Sequence, residues 1–166
     1  MYTREMFIES VQNEARILAH LYTKVKPEML SYRPTPGQRS LQELLCYLPM
    51  LGGPLARTLV SGDWAGWEAL EQRISADAKR DFPGTMQKCA DDFAAVVRSA
   101  SESDLMNKDV TTPIGVTPKM GQAFVDWNMK FLTAYRMQFF LYLKSCGRAD
   151  LGTWNLWGGT DIPPKM

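Results

Sequence analysis

The sequence predicts an all-α protein: an up-down four-helix bundle with a long connection between its second and third helices and an ordered C-terminal tail. Three observations carry this reading. Large apolar residues recur three or four apart in four long segments, the spacing that places them on one face of a helix. Helix start and stop signals bound those segments, and no strand-rich segment, internal repeat or low-complexity tract interrupts them. A chain of 166 residues with 45% hydrophobic residues is long enough for one core and short for two, so residues 1–166 are read as a single domain.

The first helix is expected from Thr3 to Lys26, with Phe7, Val11, Leu18, Leu21 and Val25 on one stripe and Ile8, Ala15 and Tyr22 widening it. Glu14 falls on that stripe. Either the stripe curves away and lets the carboxylate reach water, or Glu14 is paired, hydrogen-bonded or beside a wet cavity, because an unpaired buried charge is costly. His20, the single histidine, sits off the stripe and is expected at the surface.

Lys26 to Arg39 reads as a connection, since Pro27, Pro34, Pro36 and Gly37 forbid a regular helix while Leu30 and Tyr32 can anchor it. Ser40-Leu41-Gln42-Glu43 is a capping box that must start the second helix, whose stripe is Leu41, Leu44, Leu48, Leu51 and Leu55. Pro49 predicts a kink just after Tyr47, and Gly52-Gly53-Pro54 a second weak point. Gly62 and Asp63 end this helix, and WAGWEALEQRI predicts a short amphipathic helix using Trp64, Trp67, Leu70 and Ile74. Its tryptophans either cover one end of the core or line a ligand site.

A third long helix is expected from Thr85 to about Ser101, with Met86, Cys89, Phe93 and Ala100 inward. Glu102 to Val116 reads as an extended crossing loop. The last helix runs from Pro118 to about Gly147, with Thr117 at its N-cap, Gly147 as its left-handed stop and Phe124, Trp127, Phe131, Tyr135, Gln138 and Tyr142 along one face. In the tail, Trp154, Leu156 and Trp157 are spaced to tuck under the bundle or to cap a partner chain, and the Gly158-Gly159 and Pro163-Pro164 pairs end regular structure.

Composition narrows the function. With 19 basic and 18 acidic side chains and no block of like charge, the chain has no electrostatic footprint for nucleic acid. Cys46, Cys89 and Cys146 are odd in number, widely spaced and without a Cys-x-x-Cys pair, which predicts free thiols in a reducing compartment. Glu5, Glu9 and Glu14 interrupt any apolar leader, and no run of about 18 apolar residues is present, so a soluble cytoplasmic protein with no membrane partner is expected.

The amphipathic first helix, then LSYRPTPGQRSLQELLCYL, then PGTMQKCADDF, then TPKMGQAFVDWNMKFLTAYRMQFFLYLKSCG resemble, over nearly the whole chain, the DinB-like (YfiT-like) superfamily of bacterial four-helix bundles. Tyr32, Pro34, Pro36, Gly37, Arg39, Ser40, Leu41 and Glu43 match the family's second-segment motif, and Arg136, Gln138, Tyr142, Leu143, Lys144 and Gly147 that of its last helix. The resemblance implies a divalent metal held by three histidines, one from the second helix and two spaced four apart on the fourth. The matching positions here are Tyr47, Phe131 and Tyr135. Phenylalanine cannot ligate, and a phenol with a pKa of about 10 is a poor ligand for a divalent ion at neutral pH.

Two readings follow. In the first, the bundle holds no metal and no cofactor, and the family's site has become an aromatic core or an apolar small-molecule pocket. In the second, a thiol-dependent S-transferase or metal-dependent hydrolase-like enzyme works with non-histidine groups. Glu14, Tyr47, Asn128, Phe131 and Tyr135 are the candidate pocket residues for either, a tyrosine hydroxyl being able to act as general acid or oxyanion donor. Arg136 and Gln138 flank this site, Arg136 as a partner for an acidic residue on a neighbouring helix. A homodimer is expected from the resemblance.

Overall fold

The computed structural model describes residues 3–161. Helix α1 spans Arg4–Tyr22, with the Thr3 hydroxyl accepting the Met6 N–H at its start. It ends a turn before the expected Lys26: Pro27 opens a short 3₁₀ turn, Pro27–Met29, and the chain needs extended backbone at Lys26 to enter it. Ile8, Val11, Leu18 and Leu21 are fully buried, as the periodicity requires.

The second apolar segment is bent into two helices. Helix α2, Leu41–Tyr47, starts on the capping box, where Ser40 Oγ accepts the Glu43 N–H at 3.2 Å and the Glu43 carboxylate accepts the Ser40 N–H at 2.7 Å. Pro49 converts Leu48–Leu51 into a 3₁₀ turn, Gly52 leaves helical geometry, and helix α3 resumes over Gly53–Ser61. The two parts are bent by 51°. Gly53 marks a close approach: a Cβ there would stand 2.3 Å from Asp92 Cβ. Glycine is what lets α3 lie against the next long helix.

The connection after α3 is mostly helical. Helix α4, Trp67–Arg80, is longer than the WAGWEALEQRI segment that predicts it, and buries Ile74 and Ala78. Helix α5 covers Phe82–Ser99 and begins three residues before the expected Thr85, because Asp81 caps it by accepting the Gly84 N–H at 3.0 Å and Pro83 sits in the first turn. Residues 102–116 are not wholly a loop: helix α6, Glu102–Asn107, stands on a Ser101–Asp104 capping box, the aspartate doing what glutamate usually does. The chain then folds back on itself through an isolated antiparallel bridge between Asp109 and Lys119, turning at Gly115 with φ +80°.

That excursion takes Thr117 and Pro118 out of the last helix, since the Pro118 carbonyl accepts the Val110 N–H and Lys119 holds the N-cap position without a side-chain cap. Helix α7, Met120–Ala123, runs through a π-helical stretch, Phe124–Met129, into helix α8, Lys130–Ser145. Gly147 at φ +93° closes it as expected. Helix α1 packs chiefly along α5 and also on α8, α3 on α5, and α2 on α4 and α8. The core between them holds Phe82, Phe93, Phe124 and Phe139 without exposed surface. The described residues contain no β-strand, and no single helix among them is long and apolar enough to cross a membrane.

The tail returns onto α1. Leu151 and Leu156 are buried, whereas Trp154 and Trp157 keep about half of their surface in water, so the leucines rather than the indoles do the tucking. Arg16 donates to the carbonyls of Gly158 and Gly159, and Lys24 pairs with Asp161. This strap also covers His20, which is half-buried rather than at the surface and lies 3.2 Å from Asn155 Nδ2. Pro163 and Pro164 lie outside the described residues.

Candidate functional site

Tyr47, at the end of α2, meets Tyr135 of α8 edge to face with ring centroids 5.2 Å apart. Phe131, one turn before Tyr135, stands 6.4 Å from it, and Trp127 extends the row at 5.3 Å from Phe131. All four rings are half-buried. The three positions aligned with the metal ligands therefore come together; Tyr47 and Phe131, with Trp127, line a groove, whereas Tyr135 lines an adjoining polar cleft.

The Trp64–Trp67 pair, 5.4 Å apart, with Trp67 at the start of α4 and Trp64 in the loop before it, also lines the groove, as do Leu51 and Leu55. Trp64 is held by its indole N–H, which donates to the Thr111 carbonyl at 3.2 Å and ties the loop before α4 to the excursion that carries Pro113. The groove has a volume of about 410 Å³ and is predominantly apolar. Both tryptophans are half-buried against the core and at the same time line this groove.

Arg39 stands at the rim, its guanidinium carbon 4.0 Å above the Tyr47 ring. Its backbone carbonyl accepts the Tyr142 hydroxyl at 3.0 Å, and that hydroxyl in turn accepts from Gln138 Nε2 at 2.6 Å. A second, polar cleft of about 510 Å³, lined by Arg33, Arg39, Glu43, Tyr135 and Gln138, adjoins the groove at Arg39. Arg33 is committed there, donating to both oxygens of Glu43 at 3.0 and 2.8 Å.

Two candidate pocket residues stand elsewhere. Glu14 is buried with Arg136 and Thr133, accepting from Arg136 Nη1 at 2.9 Å and from the Thr133 hydroxyl at 3.2 Å. Burial raises its carboxyl above the usual range, with Arg136 and Thr133 opposing. Asn128, fully buried, donates through Nδ2 to the carbonyls of Leu51 (2.7 Å) and Gly52 (3.0 Å) at the break between α2 and α3, the Gly52 carbonyl also accepting the Ala56 N–H at 3.1 Å. Both residues answer structural needs, and neither lines the groove. Conversely, the parts played by Arg39, Glu71 and Trp127 in one groove were not legible, because helix periodicity does not say which residues of separate segments share a rim.

A divalent metal does not fit the aligned triad. Phe131 offers no donor atom, and Tyr47 is pushed up to about 12, first by burial and then by the adjacent Tyr135, so its phenol keeps its proton at neutral pH. Among the described residues no three His, Cys, Asp or Glu side chains are placed to hold an ion together.

The sequence matches no family model and no curated protein. Among solved structures it is similar to the crystal structure of a DinB-like protein, YjoA, from Bacillus subtilis, with a TM-score of 0.64 at 15% identity, covering 89% of this chain and 96% of that one. The chain therefore has the DinB-like all-helical fold that the motif resemblance implied.

Proposed function

We propose that this protein is a DinB-like bundle in which aromatic residues have replaced the metal site and that the groove lined by two of them, Tyr47 and Phe131, binds a small aromatic or apolar molecule. The observation that carries this reading is the meeting of Tyr47, Phe131 and Tyr135 at ring distances of 5.2 and 6.4 Å beside a groove walled by three tryptophans. Flat apolar walls with few polar groups are what ligand sites of this size commonly offer. Indole and phenyl rings that share a groove gain from a planar guest both buried area and ring contact.

The test is a thermal-shift and tryptophan-fluorescence screen of neutral bicyclic aromatics and low-molecular-weight thiols. Binding to the folded state alone must raise the melting temperature. Trp67→Ala and Phe131→Ala should each abolish that shift. A flat response up to millimolar ligand, with fluorescence unchanged, would remove the groove from consideration as a site. A homodimer forms part of the same proposal, supported by Met137 and Leu141, one turn apart on α8 and 37% and 53% exposed. A monomer mass by light scattering at micromolar concentration would reject it.

A further inference from the structure

We propose that the aromatic groove selects an aromatic carboxylate and that Arg39 is the residue that receives the carboxylate; this rests on the reading of the groove as a ligand site. The sign of the ligand's charge is set by what stands at the rim. Arg39 borders the aromatic groove and two adjoining clefts, and among the described residues its guanidinium makes no ion pair. Arg33 and Glu43, its charged neighbours in the polar cleft, neutralise each other. Lys79 lines the cleft on the other side together with Glu43 and Glu71, and of these Glu71 also faces the groove. In the groove itself Arg39 and Glu71 offset each other, and over the groove and its two adjoining clefts Arg33, Arg39 and Lys79 face Glu43 and Glu71, a balance of one positive charge.

Arg39 is also held in place before any ligand arrives. Its main chain is fixed by the Tyr142 hydroxyl, and its guanidinium lies on the Tyr47 ring. Contact with an aromatic face leaves the in-plane N–H groups of a guanidinium free, and those groups match a planar carboxylate two bonds at a time. A planar ring among Trp64, Trp67, Trp127 and Phe131 would carry its carboxylate at the rim that Arg39 occupies. Volume agrees: about 410 Å³ accepts a bicyclic ring with a short acidic substituent. Glu71 opposes an anion in this groove and would favour a cation, so its removal reads the same question with opposite sign.

The experiment titrates the intact protein with naphthoate, naphthamide and naphthylmethylammonium, three guests of one shape and different charge, by calorimetry and tryptophan fluorescence. Naphthoate is expected to bind about tenfold more tightly than the amide, the worth of a charge-assisted pair at a partly solvated site. Arg39→Gln should erase that preference by weakening naphthoate more than the amide, Arg39→Lys should keep part of it, and Glu71→Gln should strengthen naphthoate. Equal binding of acid and amide, or equal weakening of both by Arg39→Gln, overturns the role of Arg39 while leaving the groove as a site. Tightest binding of the ammonium, abolished by Glu71→Gln, overturns the charge assignment. No binding by any of the three removes this inference together with the ligand-site reading.

Discussion

Arg136 of α8 donates to Glu14 of α1 at 2.9 Å with both side chains buried, and its guanidinium carbon lies 4.6 Å from the Trp157 ring of the tail. The pair joins the first and last long helices under the strap. Its geometry leaves Glu14 Oε2 and Arg136 Nε without protein partners among the described residues, so the attraction falls short of full compensation for two desolvated charges.

Removing one member is therefore expected to cost more than removing both. Arg136→Met should destabilise by about 3–5 kcal/mol, since it strands a carboxylate in the core. Adding Glu14→Gln to that variant should return most of the loss. Urea denaturation of the two singles and the double gives the coupling directly, and simple additivity would contradict the pairing.

The same carboxyl sets a pH dependence. Burial, the largest influence on Glu14, raises it above the ordinary 4.5, so the folded chain holds this proton more tightly than the unfolded chain does. Its contribution to stability is then fully present below the unfolded value and is lost as pH rises through the raised folded value. Stability of the parent minus that of Glu14→Gln should fall as pH increases from 4.5. A difference that grows with pH over that window would mean that Arg136 outweighs burial.

Asn128 answers for the bend. Asn128→Leu conserves bulk but withdraws both bonds to the Leu51 and Gly52 carbonyls; Gly52 keeps the Ala56 N–H, so one buried acceptor, that of Leu51, is left, at an expected cost of about 1–3 kcal/mol. Naphthalene-type ligands should bind the surviving folded protein as before, because Asn128 does not line the groove. Loss of binding without loss of stability would assign it to the site instead.

The register of the lost metal site is open to construction. Tyr47→His, Phe131→His and Tyr135→His together should create a three-nitrogen site, because these rings already meet. The rings are half-buried, so the cost before metal is about 1–3 kcal/mol, below that of fully buried aromatics. Nickel or zinc should then raise the melting temperature of the triple variant and leave Phe131→His nearly unmoved, since one ligand holds such an ion poorly against water. A folded triple variant that binds no better than the parent would refute the alignment of these positions.

Local signals were enough for much of the fold. The capping box at Ser40, the break at Pro49 and Gly52, and the left-handed stop at Gly147 each depend on residues within a few positions of one another, and each stands where the chain alone places it. Helix ends were displaced where a residue had two uses: Pro83 belongs to the start of α5, and Thr117 and Pro118 serve the excursion before α7. The motif at residues 32–43 and that of the last helix were likewise legible, since both are contiguous.

What the sequence by itself determined was the all-helical class, the DinB-like order of segments, and the aromatic character of Tyr47, Phe131 and Tyr135, because these follow from periodicity, end signals and residue type. Tertiary structure alone decided that Glu14 pairs with Arg136 across α1 and α8, that Asn128 closes the bend, and that Trp64, Trp67 and Trp127 share a groove with Arg39. Those relations join residues tens of positions apart, and a helix face announces that it will be covered without naming its cover: the docking of α4 and the strap fixes the partners, through packing and the pairing of buried polar groups.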